Sequence, residues 1–168
     1  AQRTLAQAGY PGGAGLDGLE MLASRIRHAE ARFLQSQWQE CLGFAVNLQL
    51  LDWASYLTRV RTSPPCLFFM GWVPDYSDPD SYLRVGLFRN SDWRHGRYEQ
   101  LIEQARQAAD HRLRMKLYAE AELLLAREAP ILPLIYRRRH LLVKPWVKRF
   151  SVSAIGELAF QDVVIEPH

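Results

Sequence analysis

The sequence has few cysteines, no long apolar run and little net charge. Two cysteines, Cys41 and Cys66, are too few for a disulfide framework and lack metal-ligand spacing. Both lie among apolar residues, so we expect two buried free thiols, with one disulfide as the alternative in an oxidising compartment. No stretch approaches the roughly 20 apolar residues of a membrane-spanning helix. Among 168 residues, 21 basic and 18 acidic side chains give a net charge of +3, which is too small to indicate nucleic-acid binding.

The patterns that mark many enzyme and metal sites are also missing. No serine lies in a nucleophile elbow, and no glycine-rich loop follows a strand in a phosphate-binding pattern. The five histidines have no ligand spacing, and the group Asp75, Asp78 and Asp80 lacks the further oxygens and the glycine of a calcium loop. We therefore expect a protein that is not an enzyme and that holds no cofactor or metal.

One basic run, Arg137-Arg138-Arg139-His140, needs an explanation of its own. On a strand, neighbouring side chains point to opposite faces, so these four residues would not form one patch. A charged edge strand that resists pairing with other chains explains the run better than a nucleic-acid interface.

Strand and helix patterns alternate along the first part of the chain. Apolar runs predict strands over residues 16–23, 44–50 and 66–72, the last of them buried on both faces. Helical spacing of apolar residues predicts a helix over residues 31–42 that ends at Gly43, and a short helix over residues 53–61. This order is typical of an α/β fold with a mainly parallel sheet flanked by helices.

The second part of the chain predicts two helices and then a β tail. Residues 98–109 form one amphipathic pattern, and Asp110 is placed to cap the next helix. The predicted core face of that helix consists of Leu113, Leu117, Ala121 and Leu124. Residues 131–143 and 150–165 predict strands with turns between them.

Ligands of open parallel sheets bind outside the carboxyl ends of the strands. The first predicted strand runs into Arg25, and the third runs into a polar segment that contains Asp75. If both side chains face one crevice, their opposite charges suit a zwitterion, because charge-assisted hydrogen bonds are about twice as strong as neutral ones. Alternatively, the two side chains pair with each other or lie in water.

The segment Gly71-Trp72-Val73-Pro74-Asp75-Tyr76-Ser77-Asp78-Pro79 resembles a known signature. It is similar to the motif of the family 5 extracellular solute-binding proteins, the large periplasmic peptide-binding proteins of ABC transporters. Six other stretches resemble the same family in the same order; they are residues 5–10, 37–43, 90–98, 117–122, 129–134 and 143–150. The resemblance therefore covers nearly the whole chain.

The resemblance implies a lobe of the type II periplasmic-binding-protein fold. Residues 1–130 would form the smaller, C-terminal lobe, and residues 131–168 a β-rich tail that returns toward the large N-terminal lobe. We expect that lobe to be absent from this chain, because residues 4–8 read as the end of a helix that Gly9 closes. The implied location is periplasmic or extracellular, with or without a lipid anchor. The implied partners are a peptide or other small solute and the permease subunits of an ABC transporter.

The resemblance also assigns roles to individual residues. Asp75 matches the aspartate that holds the α-ammonium group of the ligand, and Trp72 matches an aromatic wall of the pocket. Arg25 lies near the position of an arginine for the ligand carboxylate, although the loop after it is shorter here. Tyr76 and Ser77 would line the site. Without a ligand role, Asp75 would cap its turn and Trp72 would pack in the core, whereas Asp78 is expected to be structural.

Short-peptide capture for import is therefore the function we expect. Two alternatives stay open. The same fold could bind a non-peptide solute such as a nickel chelate, a sugar or an opine. The chain could also be a stand-alone interaction domain that dimerises through an exposed sheet face.

Overall fold

The computed structural model describes residues 1–87, 91–136, 138 and 140–168. The chain forms two compact units, Ala1–Gly71 and Trp72–His168. The division predicted between residues 130 and 131 refers to the lobes and tail of longer family members, and it stays a prediction. Among the described residues, no helix combines the length and the apolar character needed to cross a membrane.

A three-stranded parallel sheet organises the first unit. Its strands are β1 (Leu19–Ser24), β2 (Val46–Leu51) and β3 (Leu67–Phe68), in the order β2-β1-β3. β1 pairs with β2 from Leu19 opposite Val46 onward, and both strand pairs are parallel. The predicted parallel sheet is thus confirmed, with its most buried residues on the central strand.

Three helices accompany this sheet: α1 (Gln2–Gln7), α2 (His28–Leu42) and α3 (Trp53–Thr62). α2 ends as predicted at Gly43, which adopts a left-handed φ of 82° and donates its N–H to the carbonyl groups of Trp38 and Gln39. Glycine is favoured there because a side chain would strain this conformation. The buried apolar residues of the unit are Met21, Leu22, Ala23, Ala31, Phe44, Val46 and Tyr56.

The third strand is shorter and less buried than predicted. Only Leu67 and Phe68 form β3, and both are half-buried rather than covered on both faces. β3 lies at the edge of the sheet as described, where it pairs with β1 alone. An apolar run indicates burial in general, but it does not show whether a strand has one neighbour or two.

The two cysteines are free and exposed, so the prediction of buried thiols is wrong. In α2, Trp38 and Leu42 lie within about 20° of the buried Ala31 around the helix axis, whereas Cys41 lies about 80° away. Cys41 therefore falls at the margin of the apolar face. Cys66 directly precedes the short edge strand and is more exposed than the half-buried residues of that strand.

The second unit is built around a helix pair. A π-helical turn (Ser81–Gly86) is followed by α4 (Gly96–Gln107) and α5 (His111–Glu128). The predicted cap is confirmed, because Oδ1 of Asp110 accepts a hydrogen bond from the N–H of Leu113 at 2.7 Å. The buried core of this unit comprises Leu87, Tyr98, Leu101, Ile102, Ala105, Tyr118, Ala121 and Leu125.

The predicted core face of α5 is partly wrong. Tyr118, Ala121 and Leu125 form the buried stripe, and Leu113 is 49% exposed. Leu113 lies about 120° around the helix from Leu125, so it is directed away from the packed face. Leu117 and Leu124 flank the stripe and are partly buried against it.

The described residues of the C-terminal tail form four two-residue strands. β4 (Val147–Lys148) pairs antiparallel with β7 (Val164–Ile165), and β5 (Ser151–Val152) pairs antiparallel with β6 (Leu158–Ala159). The prediction of short strands with turns over residues 150–165 is confirmed.

The strand predicted over residues 131–143 does not form in the described part of that segment. Those residues are exposed and pair with no strand among the described residues. Without a partner that supplies ladder hydrogen bonds, an apolar run has nothing to fix it as a strand. In the predicted charged edge strand, Arg137 and Arg139 lie outside the described residues, while Arg138 and His140 are exposed and not in a strand.

Candidate functional site

The loop of residues 72–80, whose last two residues are already helical, opens the second unit and holds four of the five predicted site residues: Trp72, Asp75, Tyr76 and Ser77. It leads directly into the π-helical turn. The polar contacts of this loop decide which of its side chains are used by the fold and which remain available to a ligand.

Ser81 holds the start of the loop. Its side chain is fully buried, and its Oγ accepts hydrogen bonds from Nε1 of Trp72 at 3.3 Å and from the backbone N–H of Asp75 at 2.9 Å. One buried hydroxyl oxygen therefore joins the Trp72 indole to the backbone that carries Asp75.

Asp80 holds the end of the loop. It is buried, and its carboxylate accepts hydrogen bonds from the Tyr76 hydroxyl and from the Arg84 guanidinium, with Nε of Arg84 at 2.8 Å from Oδ1. Burial raises the pKa of Asp80, but the hydrogen bonds from Arg84 and Tyr76 outweigh it, so the pKa lies below its usual value. The same contact with Asp80 raises the pKa of Tyr76.

Asp78 has the structural role that the sequence predicts. Its Oδ1 accepts a hydrogen bond from the N–H of Asp80 at 2.9 Å, and its Oδ2 forms an ion pair with Nη2 of Arg114 at 2.7 Å. Asp78 thus closes the turn before the π-helical segment and ties the loop to α5.

Asp75 differs from these two carboxylates. It is exposed, and its carboxylate forms no hydrogen bond or ion pair with any residue that the structure describes. The alternative that Asp75 caps its own turn is wrong, because no described backbone N–H donates to its carboxylate. Its backbone N–H is bound to Ser81, whereas its charged carboxylate is exposed to solvent.

The other predicted site residues are placed as follows. Trp72 is half-buried, Ser77 is exposed, and Tyr76 exposes 40% of its surface while its hydroxyl is bound to Asp80. Arg25 belongs to the first unit, where it is exposed in the short 3₁₀ turn Arg25–Arg27 at the carboxyl end of β1. A crevice shared by Arg25 and Asp75 stays a prediction.

No group of three or more histidine, cysteine, aspartate or glutamate side chains is placed to hold a metal ion within the part of the chain that the structure describes. The carboxylates of Asp78 and Asp80 are instead satisfied by arginines.

The family model of the bacterial extracellular solute-binding proteins, family 5 Middle, matches residues 1–132. The chain belongs to this family. The family resemblance inferred from the sequence is therefore confirmed, as is the periplasmic-binding-protein fold class.

Individual curated proteins are similar to this chain over most of its length. The "Probable deoxycholate-binding periplasmic protein YgiS" of Escherichia coli is 31% identical over 100% of this chain and 32% of its own length. The "Periplasmic oligopeptide-binding protein OppA" of Salmonella typhimurium is 31% identical over 90% of this chain and 29% of its own length. The chain thus spans about a third of the length of these relatives.

A solved structure of a similar protein shows the same fold. It is the "ABC transporter-associated periplasmic binding protein DppA from Helicobacter pylori in complex with peptide STSA", with a TM-score of 0.67 and 25% sequence identity. The matched region covers 77% of this chain and 27% of the H. pylori chain. The present chain is similar to each of these three proteins.

Sequence reasoning did not identify the residues that support the family signature. Ser81, Arg84 and Arg114 all bind the loop, and none of them was predicted to do so. The available signal was weak: a serine directly after the aspartates and before an apolar stretch, with an arginine three residues later.

Proposed function

We propose that this chain contributes one wall of the ligand site in a solute-binding protein that captures short peptides for import by an ABC transporter, and that it catalyses no reaction. Family membership and the peptide-binding relatives support this proposal. The observation that carries it is the exposed carboxylate of Asp75, which no described residue pairs with, on a backbone fixed by a buried serine.

In this proposal, Asp75 binds the α-ammonium group of the peptide. A carboxylate and an ammonium form a charge-assisted hydrogen bond, and Asp75 has no competing partner among the described residues to be displaced first. The fixed backbone reduces the entropy that binding would otherwise cost, because less of the site has to be ordered.

The remaining site residues take complementary roles. The Trp72 and Tyr76 rings form apolar walls, while the Tyr76 hydroxyl stays bound to Asp80. Ser77 lines the site with a small polar group, and Arg25 binds the peptide carboxylate. Extended peptides also offer backbone groups to such a site, so side-chain pockets can stay permissive.

A second lobe completes the site in this proposal. The relatives are about three times as long as this chain, which leaves room for a large N-terminal lobe and a hinge. Closure of two lobes around a ligand is an established form of domain motion. We place the protein in the periplasm or outside the cell, where it would present its ligand to permease subunits, with residues 1–130 as the smaller lobe and residues 131–168 as the tail.

One relative favours a different ligand class. The E. coli relative is named for deoxycholate, a steroid carboxylate that has no ammonium group. Such a ligand would use a cation such as Arg25 and would be repelled by Asp75. The exposed, unpaired carboxylate therefore favours peptide over bile acid.

Calorimetric titration of the full-length gene product with trialanine and with deoxycholate tests this choice. We expect trialanine to bind at least tenfold more tightly, because it satisfies both Asp75 and Arg25. Tighter binding of deoxycholate would contradict the peptide proposal and support the second ligand class.

A further inference from the structure

Ser81 and Gly86 stand at the two ends of the π-helical turn, and both contact Trp72. Ser81 accepts the indole N–H. At Gly86, a Cβ atom would lie 2.8 Å from Cγ and 3.0 Å from Cδ1 of Trp72, so the ring packs directly against the glycine backbone. The Trp72 ring is thus held at its nitrogen and at its face by one turn.

The same turn also fixes Asp75, through the hydrogen bond from its backbone N–H to Ser81. π-helical turns are rare and occur frequently at functional sites. Here the turn connects the aromatic wall of the proposed ligand site, and the backbone of Asp75, to one buried hydroxyl.

Neither Ser81 nor Gly86 is exposed to a ligand. Both are buried, and Ser81 has no accessible surface at all. Any effect of these residues on binding is therefore indirect, and Trp72 and Asp75 are the site residues that they contact.

We propose that Ser81 and Gly86 are positioning residues that set the placement of Trp72 and Asp75 before a ligand arrives. This inference rests on the proposed function for its effect on affinity. Its structural part, a loop pre-organised by the π-helical turn, can be measured without any ligand.

The test uses Ser81→Ala and Gly86→Ala in the full-length gene product. Ser81→Ala removes the acceptor of both N–H groups. Gly86→Ala keeps that acceptor but forces the Trp72 ring to move, since no Cβ fits at 2.8 Å from it. The matched control is Ser36→Ala, which removes an exposed serine hydroxyl from α2.

Two measurements are made on each variant. Hydrogen–deuterium exchange mass spectrometry follows the peptide of residues 72–80 without ligand, and calorimetry follows trialanine binding. We expect both variants to exchange faster in this peptide and to bind trialanine about tenfold more weakly, a change of about 1.4 kcal/mol. Ser36→Ala should match the wild-type protein in both measurements.

Unchanged exchange over residues 72–80 in both variants would overturn the inference. So would faster exchange with an unchanged affinity for trialanine. If Ser81→Ala does not fold, Gly86→Ala decides the question alone. Failure of the wild-type protein to bind trialanine contradicts the proposed function, whereas the ligand-free exchange result still decides whether the turn fixes the loop.

Discussion

Replacing Asp75 with asparagine is expected to weaken trialanine binding by more than tenfold. The substitution keeps the size of the side chain but removes the negative charge that would face the ligand ammonium. Hydrogen bonds between ionised groups are about twice as strong as neutral ones, and each tenfold loss of affinity corresponds to about 1.4 kcal/mol. Calorimetry on the purified variant gives the dissociation constant directly.

The matched control is Asp162→Asn, which removes an equal charge at an exposed position of the tail. It should leave affinity unchanged. Because Asp75 is exposed and its carboxylate has no partner among the described residues, Asp75→Asn should also leave the unfolding transition where it is. Equal trialanine affinity in the wild-type protein and Asp75→Asn would contradict the proposal that Asp75 binds the ligand.

Replacing Asp80 with asparagine is expected to destabilise the protein instead. Asp80 is buried and accepts hydrogen bonds from Arg84 and Tyr76. Loss of its charge leaves the guanidinium without its ion-pair partner, although the 34% exposure of the Arg84 side chain lets water compensate in part. We expect the free energy of unfolding at pH 7 to fall by about 2–3 kcal/mol, measured by urea denaturation.

The pH dependence of this effect has a definite sign. The pKa of Asp80 is lowered by the fold, so its stabilising contribution is fully present above the pKa of an unfolded aspartate, about 4. It is lost as the pH falls through the lower pKa of the folded state. The stability difference between the wild-type protein and Asp80→Asn should therefore narrow below about pH 4, and a difference that widens there would contradict this assignment.

The sequence predicts those parts of the fold that depend on local signals. Gly43 ends α2 and Asp110 caps α5 because each acts on its own helix. The parallel sheet follows from short apolar strands separated by helices. These features need no knowledge of distant neighbours.

The features that the sequence did not predict depend on what packs against each element. The length of β3 depends on its place at an edge, and the absence of a strand in the described part of residues 131–143 depends on the lack of a pairing partner there. Leu113 fits the helical pattern of α5 but lies outside the stripe that faces the rest of the core. The pattern of apolar residues alone does not show which of these residues pack against a neighbour.

The candidate site shows the same division. Trp72, Asp75, Tyr76 and Ser77 could be proposed as site residues because they lie in one continuous stretch that resembles the family signature. The sequence did not show that Asp78 and Asp80 are paired while Asp75 is not, because the pairing depends on Arg84 and Arg114, which lie outside the signature. A π-helical turn has no reliable sequence signal, so Ser81 and Gly86 became visible only as neighbours of Trp72.

Blocking the amino group of the peptide directly tests the proposed contact between the peptide ammonium group and Asp75. Calorimetric titration of the full-length gene product compares trialanine with N-acetyl-trialanine, in which a neutral acetamide replaces the charged amino group that Asp75 is proposed to bind. We expect trialanine to bind and the acetylated peptide to bind at least tenfold more weakly. Equal binding of the two peptides would contradict the ammonium contact at Asp75.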